Sequence, residues 1–286
     1  MNSIGNPQSA TDELRKWIVA QAEAGCRPED VLASMRASGW AEDVAIQALE
    51  TTLTQRLEQL GLPVPSAPVP VPEPALDAQP ASILALDREV QIISTLRLPR
   101  VVVFGGLLSI EECDGLVALA STRLARSETV DNQTGGSEVN PARTSDGMFF
   151  ERGEFALIDR IERRVAALLN WPLDHGEGLQ VLRYRPGAEY KPHHDYFDPT
   201  QPGAATILQR GGQRVGTLIM YLSTPERGGA TVFPDAGMDV AAVKGNAVFF
   251  SYDRPHHATR TLHGGAPVLA GEKWVATKWM REGVFV

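Results

Sequence analysis

Apolar residues near the start of the chain recur at intervals of three and four residues, which is the spacing of one face of an α-helix. Leu14 and Ile18 follow Thr11, a residue type that commonly caps the start of a helix. A second helix is predicted to begin at Pro28, because proline fits the first turn of a helix. A third helix follows a Ser-Gly break. Residues 1–60 are therefore predicted to form a small all-α module of three helices.

The composition changes abruptly after this module. Seven prolines occur within the twenty residues from 61 to 80, and many of their neighbours are Val or Ala. Such a segment favours the extended polyproline II conformation and acts as a semi-rigid spacer. The alternative is a ligand for the aromatic groove of a partner, but the flanks lack the positive charge that such ligands often carry. Residues 61–81 are therefore predicted to be a linker.

The region 82–286 is predicted to place helices before a series of short strands. Ser109 and Glu112 have the spacing of a capping box, and the helix they open carries Cys113 on its apolar side, which indicates a core cysteine. A second amphipathic helix is predicted over residues 155–169. Short apolar runs predict strands at residues 101–104, 179–184, 216–222, 230–233, 247–252 and 274–279. Together these elements predict an α+β domain in which helices support a double-stranded β-helix, or jelly roll.

Charge and cysteine usage narrow the class of protein. The formal net charge of -8 disfavours non-specific binding to nucleic acid. Cys26 and Cys113 lie far apart and form no CxxC motif, which is typical of a reducing compartment. The first residues lack the basic and apolar segments of a signal peptide, and no apolar run is long enough to span a bilayer. We therefore expect a cytoplasmic, non-secreted protein with no nucleic-acid or membrane partner.

Candidate chemistry begins with the motif His193-x-Asp195. On an extended chain, residues two apart point to the same side, so one imidazole and one carboxylate are expected to face the same space. Two histidines and one carboxylate on one face of an octahedron bind Fe(II) and leave three positions open. The motif therefore predicts two of the three ligands of an iron site.

The third ligand is expected among the later histidines, His256, His257 and His263. His263 differs from the other two because Lys273 stands ten residues beyond it, past a glycine-rich turn and inside a strand-like run. A lysine deep in a cavity needs an anionic partner, since an unpaired buried ammonium is costly. A dicarboxylate that chelates the iron at one end and meets Lys273 at the other would supply that partner. His263 is therefore the predicted third ligand.

Four segments in order resemble the 2-oxoglutarate and Fe(II)-dependent dioxygenases of the prolyl 4-hydroxylase type. They are YRPGAEYKPHHDYF, GQRVGTLIMYLSTPERGGATVFP, NAVFF and HGGAPVLAGEKWVATKWMRE. The resemblance implies Fe(II), 2-oxoglutarate and O₂ at the site, and adds ascorbate as a candidate cofactor. The catalytic metal ligands that it implies are His193, Asp195 and His263. The residues that it implies for the far carboxylate of 2-oxoglutarate are Tyr184, Thr231 and Lys273, although ordinary strand packing is the alternative for the first two.

Two further residues are candidates for substrate contact. The long polar segment 127–150 resembles the family's mobile substrate loop, and Arg143 within it is predicted to meet the substrate backbone. Trp279 lies six residues beyond Lys273, so strand alternation places both on one face of the strand. Trp279 is therefore a second candidate for the substrate wall. A surface arginine and core packing, respectively, are the alternatives for Arg143 and Trp279.

The resemblance implies a dioxygenase that hydroxylates C4 of a prolyl residue in a peptide or protein and releases succinate and CO₂. A free amino acid or another small molecule is an alternative substrate, because the residues for iron and co-substrate do not encode the target. A non-catalytic jelly-roll binding module is the alternative from another functional class. The N-terminal helices resemble a ubiquitin-associated-like module, which would recruit a partner. The alternative is a helical cap or an element that pairs two copies of the chain.

Overall fold

The computed structural model describes residues 10–61, 67–127, 129–130, 134, 136–138 and 142–286. The chain divides into two compact units, Met1–Ser66 and Ala67–Val286. Every helix in these described ranges is too short or too polar to cross a lipid bilayer.

The first unit contains three helices, as the apolar spacing predicts. They are α1 (Asp12–Glu23), α2 (Pro28–Ala37) and α3 (Glu42–Gln59). Thr11 caps α1, because its side chain accepts a hydrogen bond of 3.2 Å from the backbone N–H of Leu14. The helices pack around a small apolar core of Ile18, Val31, Met35, Ala45, Ala48 and Leu49.

The second unit contains further helices and the strands of two main sheets. Its helices are α4 (Ile110–Ser121), α5 (Ala156–Leu168) and the short α6 (Ala204–Leu208). The strands before α5 are β1 (Ser82–Ala85), β2 (Arg88–Leu96), β3 (Arg100–Gly105), β4 (Ala125–Arg126), β5 (Thr129–Val130), β6 (Ser137–Glu138) and β7 (Asp146–Phe150). Those after α5 are β8 (Leu179–Tyr184), β9 (Tyr190–His193), β10 (Arg214–Tyr221), β11 (Arg227–Gly228), β12 (Thr231–Phe233), β13 (Met238–Val240), β14 (Ala247–Ser251), β15 (His263–Gly265), β16 (Val268–Ala270) and β17 (Lys273–Arg281).

The strands form a double-stranded β-helix. Among the described residues the larger sheet has nine strands in the order β1-β2-β3-β14-β10-β17-β8-β7-β4, and the smaller has four in the order β13-β12-β15-β9. Along the chain, β8, β10, β14 and β17 enter the larger sheet, while β9, β12, β13 and β15 enter the smaller one. The pairings are antiparallel. The predicted α+β jelly roll with supporting helices is therefore confirmed.

Strand alternation divides the core of this unit in two. On β8, Val181 belongs to the cluster that contains Leu116 of α4 and Ile161 of α5, so this face of the larger sheet is covered by helices. The next residue, Leu182, belongs to the cluster that contains Phe233 of the smaller sheet. The space between the two sheets is therefore lined by the opposite face of the same strands.

The structure differs from the predicted linker 61–81 in its second part. Residues 67–76, here called the strap, belong to the second unit. The backbone N–H of Val69 donates to the carbonyl of Asp253 at 2.8 Å, and that of Glu73 donates to the carbonyl of Leu169 at 3.0 Å. Val69 packs against the large core. The prolines between these residues have no N–H to satisfy, so an extended segment can lie on a folded surface with few unpaired donors.

The structure also differs from the predicted loop 127–150. Residues 146–150 form β7, which pairs with β8, and residues 129–130 pair with residues 137–138. Met148 and Phe150 are buried on alternate positions of β7, a strand pattern that the preceding polar residues conceal. Residues 128, 131–133, 135 and 139–141 of the predicted loop lie outside the described residues.

A buried arginine joins the helices to the turn between β1 and β2. Arg164 of α5 is only 1% exposed. Its guanidinium donates to the carboxylate of Asp87 at 2.7 and 2.8 Å, and to the carboxylate of Glu112 at 2.8 Å. Because Glu112 also caps α4 as part of a formed capping box, this one side chain fixes two helices and a turn.

Replacing Arg164 with Met is expected to lower the free energy of unfolding by about 3 kcal/mol, because the buried carboxylate of Glu112 loses the guanidinium that it shares with the more exposed Asp87. Urea denaturation of the full chain measures the loss. Arg163→Met, at the adjacent position of α5, is the matched control. Its ion pair with Asp159 is exposed, so its removal is expected to cost less than about 1 kcal/mol. Equal losses in the two variants would contradict this account.

Candidate active site

Two paired strands of the smaller sheet bring the predicted histidines together. The antiparallel register of β9 and β15 places His193 opposite His263, and their ring centroids are 4.4 Å apart. A Cβ atom on Gly264 would lie 2.8 Å from the carbonyl oxygen of Tyr190. Only glycine therefore allows β15 to approach β9 this closely next to the histidines.

Asp195 completes the cluster, because it follows β9 by two residues. Its Oδ1 lies 3.5 Å from Nε2 of His193, and its Oδ2 lies 3.5 Å from Nε2 of His263. The candidate donor atoms of the three side chains all lie within 4.8 Å of one another. Two imidazoles and one carboxylate from separate parts of the chain thus face a single point.

Backbone carbonyls fix the orientation of both rings. Nδ1 of His193 lies 2.9 Å from the carbonyl of Lys191, and Nδ1 of His263 lies 3.0 Å from the carbonyl of Thr261. A carbonyl only accepts hydrogen bonds, so each Nδ1 carries a proton, and in the neutral form of each ring Nε2 presents a lone pair. This is the usual arrangement of histidines that bind a metal.

The protonation states also suit metal binding. Burial lowers the pKa of His263 to about 4, so this imidazole is neutral at pH 7. Burial alone would raise the pKa of Asp195, but His263, His193 and the Arg214 guanidinium together lower it well below 3.8. A neutral imidazole and an ionised carboxylate are the forms that coordinate a metal ion.

Thr217 and Trp279 hold the carboxylate of Asp195. The Thr217 hydroxyl on β10 donates to Oδ2 at 2.7 Å, and the Trp279 indole N–H on β17 donates to the same oxygen at 2.9 Å. The sequence predicts Trp279 as a substrate wall or core residue, and it does line the cavity beside the histidines. The role of Thr217 escapes the sequence analysis, because a threonine in an apolar strand looks like ordinary packing.

A cavity opens beside the three side chains. Its lining includes Lys273, Val275, Thr277 and Trp279, which are alternate residues of β17. Its apolar walls include Leu182 and Ile219. The predicted alternation along β17 therefore brings Lys273 and Trp279 to the same space.

Lys273 is buried without an ionic partner among the described residues, since none of their carboxylates lies within 4.0 Å of its ammonium. Burial lowers its pKa to about 8. The ammonium lies 5.6 Å from the ring centroid of Tyr184, its partner across the β8 and β17 ladder. The cavity therefore presents a desolvated positive charge that an anionic ligand would stabilise.

The two residues predicted to accompany Lys273 also border the cavity. Tyr184 and Thr231 both line it. The hydroxyl of Tyr221 donates to Oγ1 of Thr231 at 2.8 Å, and the Tyr221 ring centroid lies 5.9 Å from the Lys273 ammonium. The contact of Tyr221 could not be predicted from the sequence, because its position in an apolar strand gives no signal of a polar partner.

Arg143 is a buried residue of the cavity wall, not a surface arginine. It is 4% exposed and forms a β-bridge with Tyr190. Its guanidinium donates to the side-chain oxygen of Gln180 at 2.8 Å and lies 5.0 Å from the ring centroid of Tyr190. Its predicted contact with a substrate stays a prediction, now with a defined orientation.

Three other histidines, His194, His256 and His257, are not part of the cluster. The ring of His194 stacks on Tyr196 with centroids 4.6 Å apart, as expected for a residue that alternates away from His193. The rings of His256 and His257 pack against each other, with their centroids 4.0 Å apart. The candidate metal cluster found among the described residues contains none of these three.

Comparison with known proteins places this arrangement in a family. A family model described as the 2OG-Fe(II) oxygenase superfamily matches residues 179–281. A probable prolyl 4-hydroxylase 3 of Arabidopsis thaliana is 41% identical over 208 residues, which cover 65% of this chain and 71% of the relative. Prolyl 4-hydroxylase 1 of the same plant is 44% identical over 201 residues, which cover 64% of this chain and 69% of the relative. The chain belongs to the prolyl 4-hydroxylase family.

Among solved structures, the 2OG complex of a viral collagen prolyl hydroxylase from Paramecium Bursaria Chlorella virus-1 is 31% identical. It matches 63% of this chain and 95% of the viral chain, with a TM-score of 0.49. The predicted family resemblance is confirmed by the curated relatives. As a member of the prolyl 4-hydroxylase family, the chain is an Fe(II)- and 2-oxoglutarate-dependent dioxygenase.

The side chains fit both cofactors of the family. Two lone pairs on Nε2 atoms and one ionised carboxylate form the 2-His-1-carboxylate donor set that suits Fe(II). The Lys273 ammonium fits the far carboxylate of a dicarboxylate ligand, because the described residues supply it with no counter-ion.

Lys273→Met tests this fit. With Mn(II) as a redox-stable stand-in for iron, 2-oxoglutarate is expected to raise the unfolding temperature of the wild type but not that of the variant. Without 2-oxoglutarate the variant is expected to be the more stable protein, because a buried charge is removed. The difference in stability between variant and wild type is expected to shrink as the pH rises from 8 to 10.5. In this range Lys273 is deprotonated in the folded wild type but still protonated in the unfolded chain, so the free energy of unfolding of the wild type rises with pH.

Lys244→Met is the control for this comparison, because the Lys244 ammonium pairs with Asp114 outside the cavity. It is expected to keep the full stabilisation by 2-oxoglutarate. Equal stabilisation of wild type and Lys273→Met by 2-oxoglutarate would refute the assignment.

Proposed function

We propose that the enzyme hydroxylates C4 of a prolyl residue in a peptide or protein and converts 2-oxoglutarate to succinate and CO₂. The observation that carries the proposal is the convergence of His193, Asp195 and His263 beside the buried Lys273 ammonium in one cavity. The substrate class is supported by the relatives, which are named as prolyl 4-hydroxylases and are 37 to 44% identical.

In this proposal each side chain has one task. His193, Asp195 and His263 hold Fe(II), and Tyr184, Thr231 and Lys273 bind the far carboxylate of 2-oxoglutarate. Bound iron and 2-oxoglutarate supply the chemistry, which couples reduction of O₂ to oxidative decarboxylation and to hydroxylation of a C–H bond. The chain contributes orientation and exclusion of water, since apolar residues such as Leu182, Ile219 and Val275 line the cavity.

Arg143 and Trp279 are proposed to contact the substrate at the wall of the cavity. The bond from Arg143 to Gln180 and the stacking on Tyr190 hold the guanidinium in one orientation. A fixed guanidinium can donate to the carbonyl groups of an extended peptide. Trp279 offers an aromatic surface to a prolyl ring.

Three further assignments belong to the proposal. Ascorbate is proposed as a reductant for the site on family resemblance. A cytoplasmic location is proposed because Cys26 and Cys113 are both free thiols. The N-terminal helices are proposed to recruit the protein substrate or to pair two copies of the chain.

Alanine substitutions test the metal set. His193→Ala, Asp195→Ala and His263→Ala are each expected to abolish succinate formation from 2-oxoglutarate in the presence of Fe(II) and a proline-containing peptide. His194→Ala is the matched control, because the adjacent imidazole stacks on Tyr196 outside the cluster. It is expected to retain most of the activity. Succinate formation that persists in the three ligand variants would rule out the assignment.

Mass spectrometry tests the substrate class. Proline-containing peptides incubated with enzyme, Fe(II), 2-oxoglutarate and ascorbate are expected to gain one oxygen per hydroxylated residue, and fragmentation with amino-acid analysis should yield 4-hydroxyproline. Free proline is the comparison substrate. A gain of oxygen on free proline alone would support a small-molecule hydroxylase, and no turnover with any substrate would support a non-catalytic binding module.

A further inference from the structure

Thr217 and Trp279, the hydrogen-bond donors to the Asp195 side chain among the described residues, converge on one oxygen. Oδ2 accepts from the Thr217 hydroxyl at 2.7 Å and from the Trp279 indole at 2.9 Å. These two donors occupy the two lone pairs of Oδ2. Oδ1, which faces His193, is then the oxygen that remains for a metal ion.

Tyr252 lies behind Thr217. Its hydroxyl is 2.9 Å from Oγ1 of Thr217, and both side chains are almost completely buried, at 2% and 0% exposed. The ionised carboxylate of Asp195 only accepts, so the single hydroxyl proton of Thr217 is donated to it. Oγ1 of Thr217 must therefore accept from the Tyr252 hydroxyl. The direction of the chain from Tyr252 through Thr217 to Asp195 is thereby fixed, and each bond polarises the next.

The backbones of Thr217 and Tyr252 are held by the sheet and by the strap. Tyr252 donates its backbone N–H to the carbonyl of Val215 on β10 at 3.1 Å. The strap binds the following residue, since Val69 donates to the Asp253 carbonyl. The Cγ atom of Pro72 would lie 3.2 Å from a Cβ atom on Gly216. The two hydroxyls are thus held at fixed positions relative to Asp195.

We propose that Thr217 and Tyr252 are positioning residues that act in series on Asp195. Thr217 fixes the carboxylate so that one oxygen faces the metal, and Tyr252 fixes the hydroxyl of Thr217. Their contribution is a higher affinity for the metal ion and a defined coordination geometry. The proposal rests on the proposed function, because it takes Asp195 as a metal ligand.

Cobalt titration of the full chain tests the proposal without turnover. Co(II) is added to metal-free protein under nitrogen, and its visible absorption reports both affinity and coordination geometry. Thr217→Val removes the hydroxyl at nearly constant volume, and it is expected to raise the Kd for Co(II) about tenfold and to change the spectrum. Thr217→Ser keeps the hydroxyl and is expected to restore both. The unfolding temperature of the metal-free variants shows whether the fold is retained.

The serial arrangement makes a sharper prediction for Tyr252→Phe. This change is expected to raise the Kd by less than Thr217→Val does, and to have no further effect in the Thr217→Val background, where its acceptor is gone. Tyr196→Phe is the matched control, because its ring lies 6.0 Å from that of Tyr252 and no described hydrogen bond joins its hydroxyl to Asp195. Its Kd is expected to equal that of the wild type.

A wild-type Kd and spectrum in folded Thr217→Val would overturn the proposal, as would an equal effect of Tyr252→Phe in both backgrounds. If Thr217→Val does not fold, Thr217→Ala replaces it with the same expectations. Asp195→Ala separates the two levels of inference. If Co(II) binding is lost in Asp195→Ala but unchanged in Thr217→Val, only the positioning role fails. If Asp195→Ala binds Co(II) like the wild type, the metal site and the positioning role fail together.

Discussion

The site depends on the antiparallel pairing of two very short strands, β9 and β15. Their ladder alone would be weak, so the surrounding structure has to hold it. β12 pairs with the other edge of β15, and aromatic rings pack on both imidazoles. The ring of Tyr190 stacks on that of His193 with centroids 3.7 Å apart. The ring centroid of Phe250, in the larger sheet, lies 4.4 Å from that of His263. Both sheets therefore contribute to the separation of the two histidines.

The buried cations of the second unit differ in whether a carboxylate of the chain pairs with them. Lys278 is buried next to the carboxylate of Glu162, and Arg214 donates to Glu177 at 2.6 and 2.9 Å. These ions are neutralised within the chain, so neither charge is left unpaired by burial. Lys273 is buried to the same degree, but the described residues offer it no carboxylate. An anionic ligand would give this charge the ionic partner that the described residues do not supply, so the cost of burying it favours binding.

The sequence predicts those parts of the site that depend on local periodicity and motif spacing. His193 and Asp195 share one side because they are two residues apart, and Lys273 and Trp279 share one face of β17 for the same reason. The pairing of this motif with His263 is predicted from the ten-residue spacing between His263 and Lys273 and is also implied by the resemblance. Thr217 could not be predicted as a partner of Asp195, because its strand pattern gives the direction of the side chain but not the atom it meets. That contact requires the order of strands in the larger sheet.

The predicted loop 127–150 and the predicted linker 61–81 differ from the structure for a related reason. Strand β7 is preceded by a polar stretch, so its alternating Met148 and Phe150 were not separable from a loop by composition. The strap is rich in proline, and the same composition serves a free spacer or an extended segment lying on a surface. What decides between them is the presence of apolar surface and unpaired carbonyls elsewhere in the fold, which no local pattern contains.

The docked strap changes where the catalytic unit begins. A protein trimmed to start at residue 82, where the regular pattern of the domain sets in, would expose the apolar surface beneath Val69 and deprive the carbonyls of Asp253 and Leu169 of their donors. The proline-rich stretch from Ala67 onward is therefore part of the outer wall of the enzyme. If the N-terminal helices were replaced by another module, the new module would have to be joined before Ala67 to leave the strap in place.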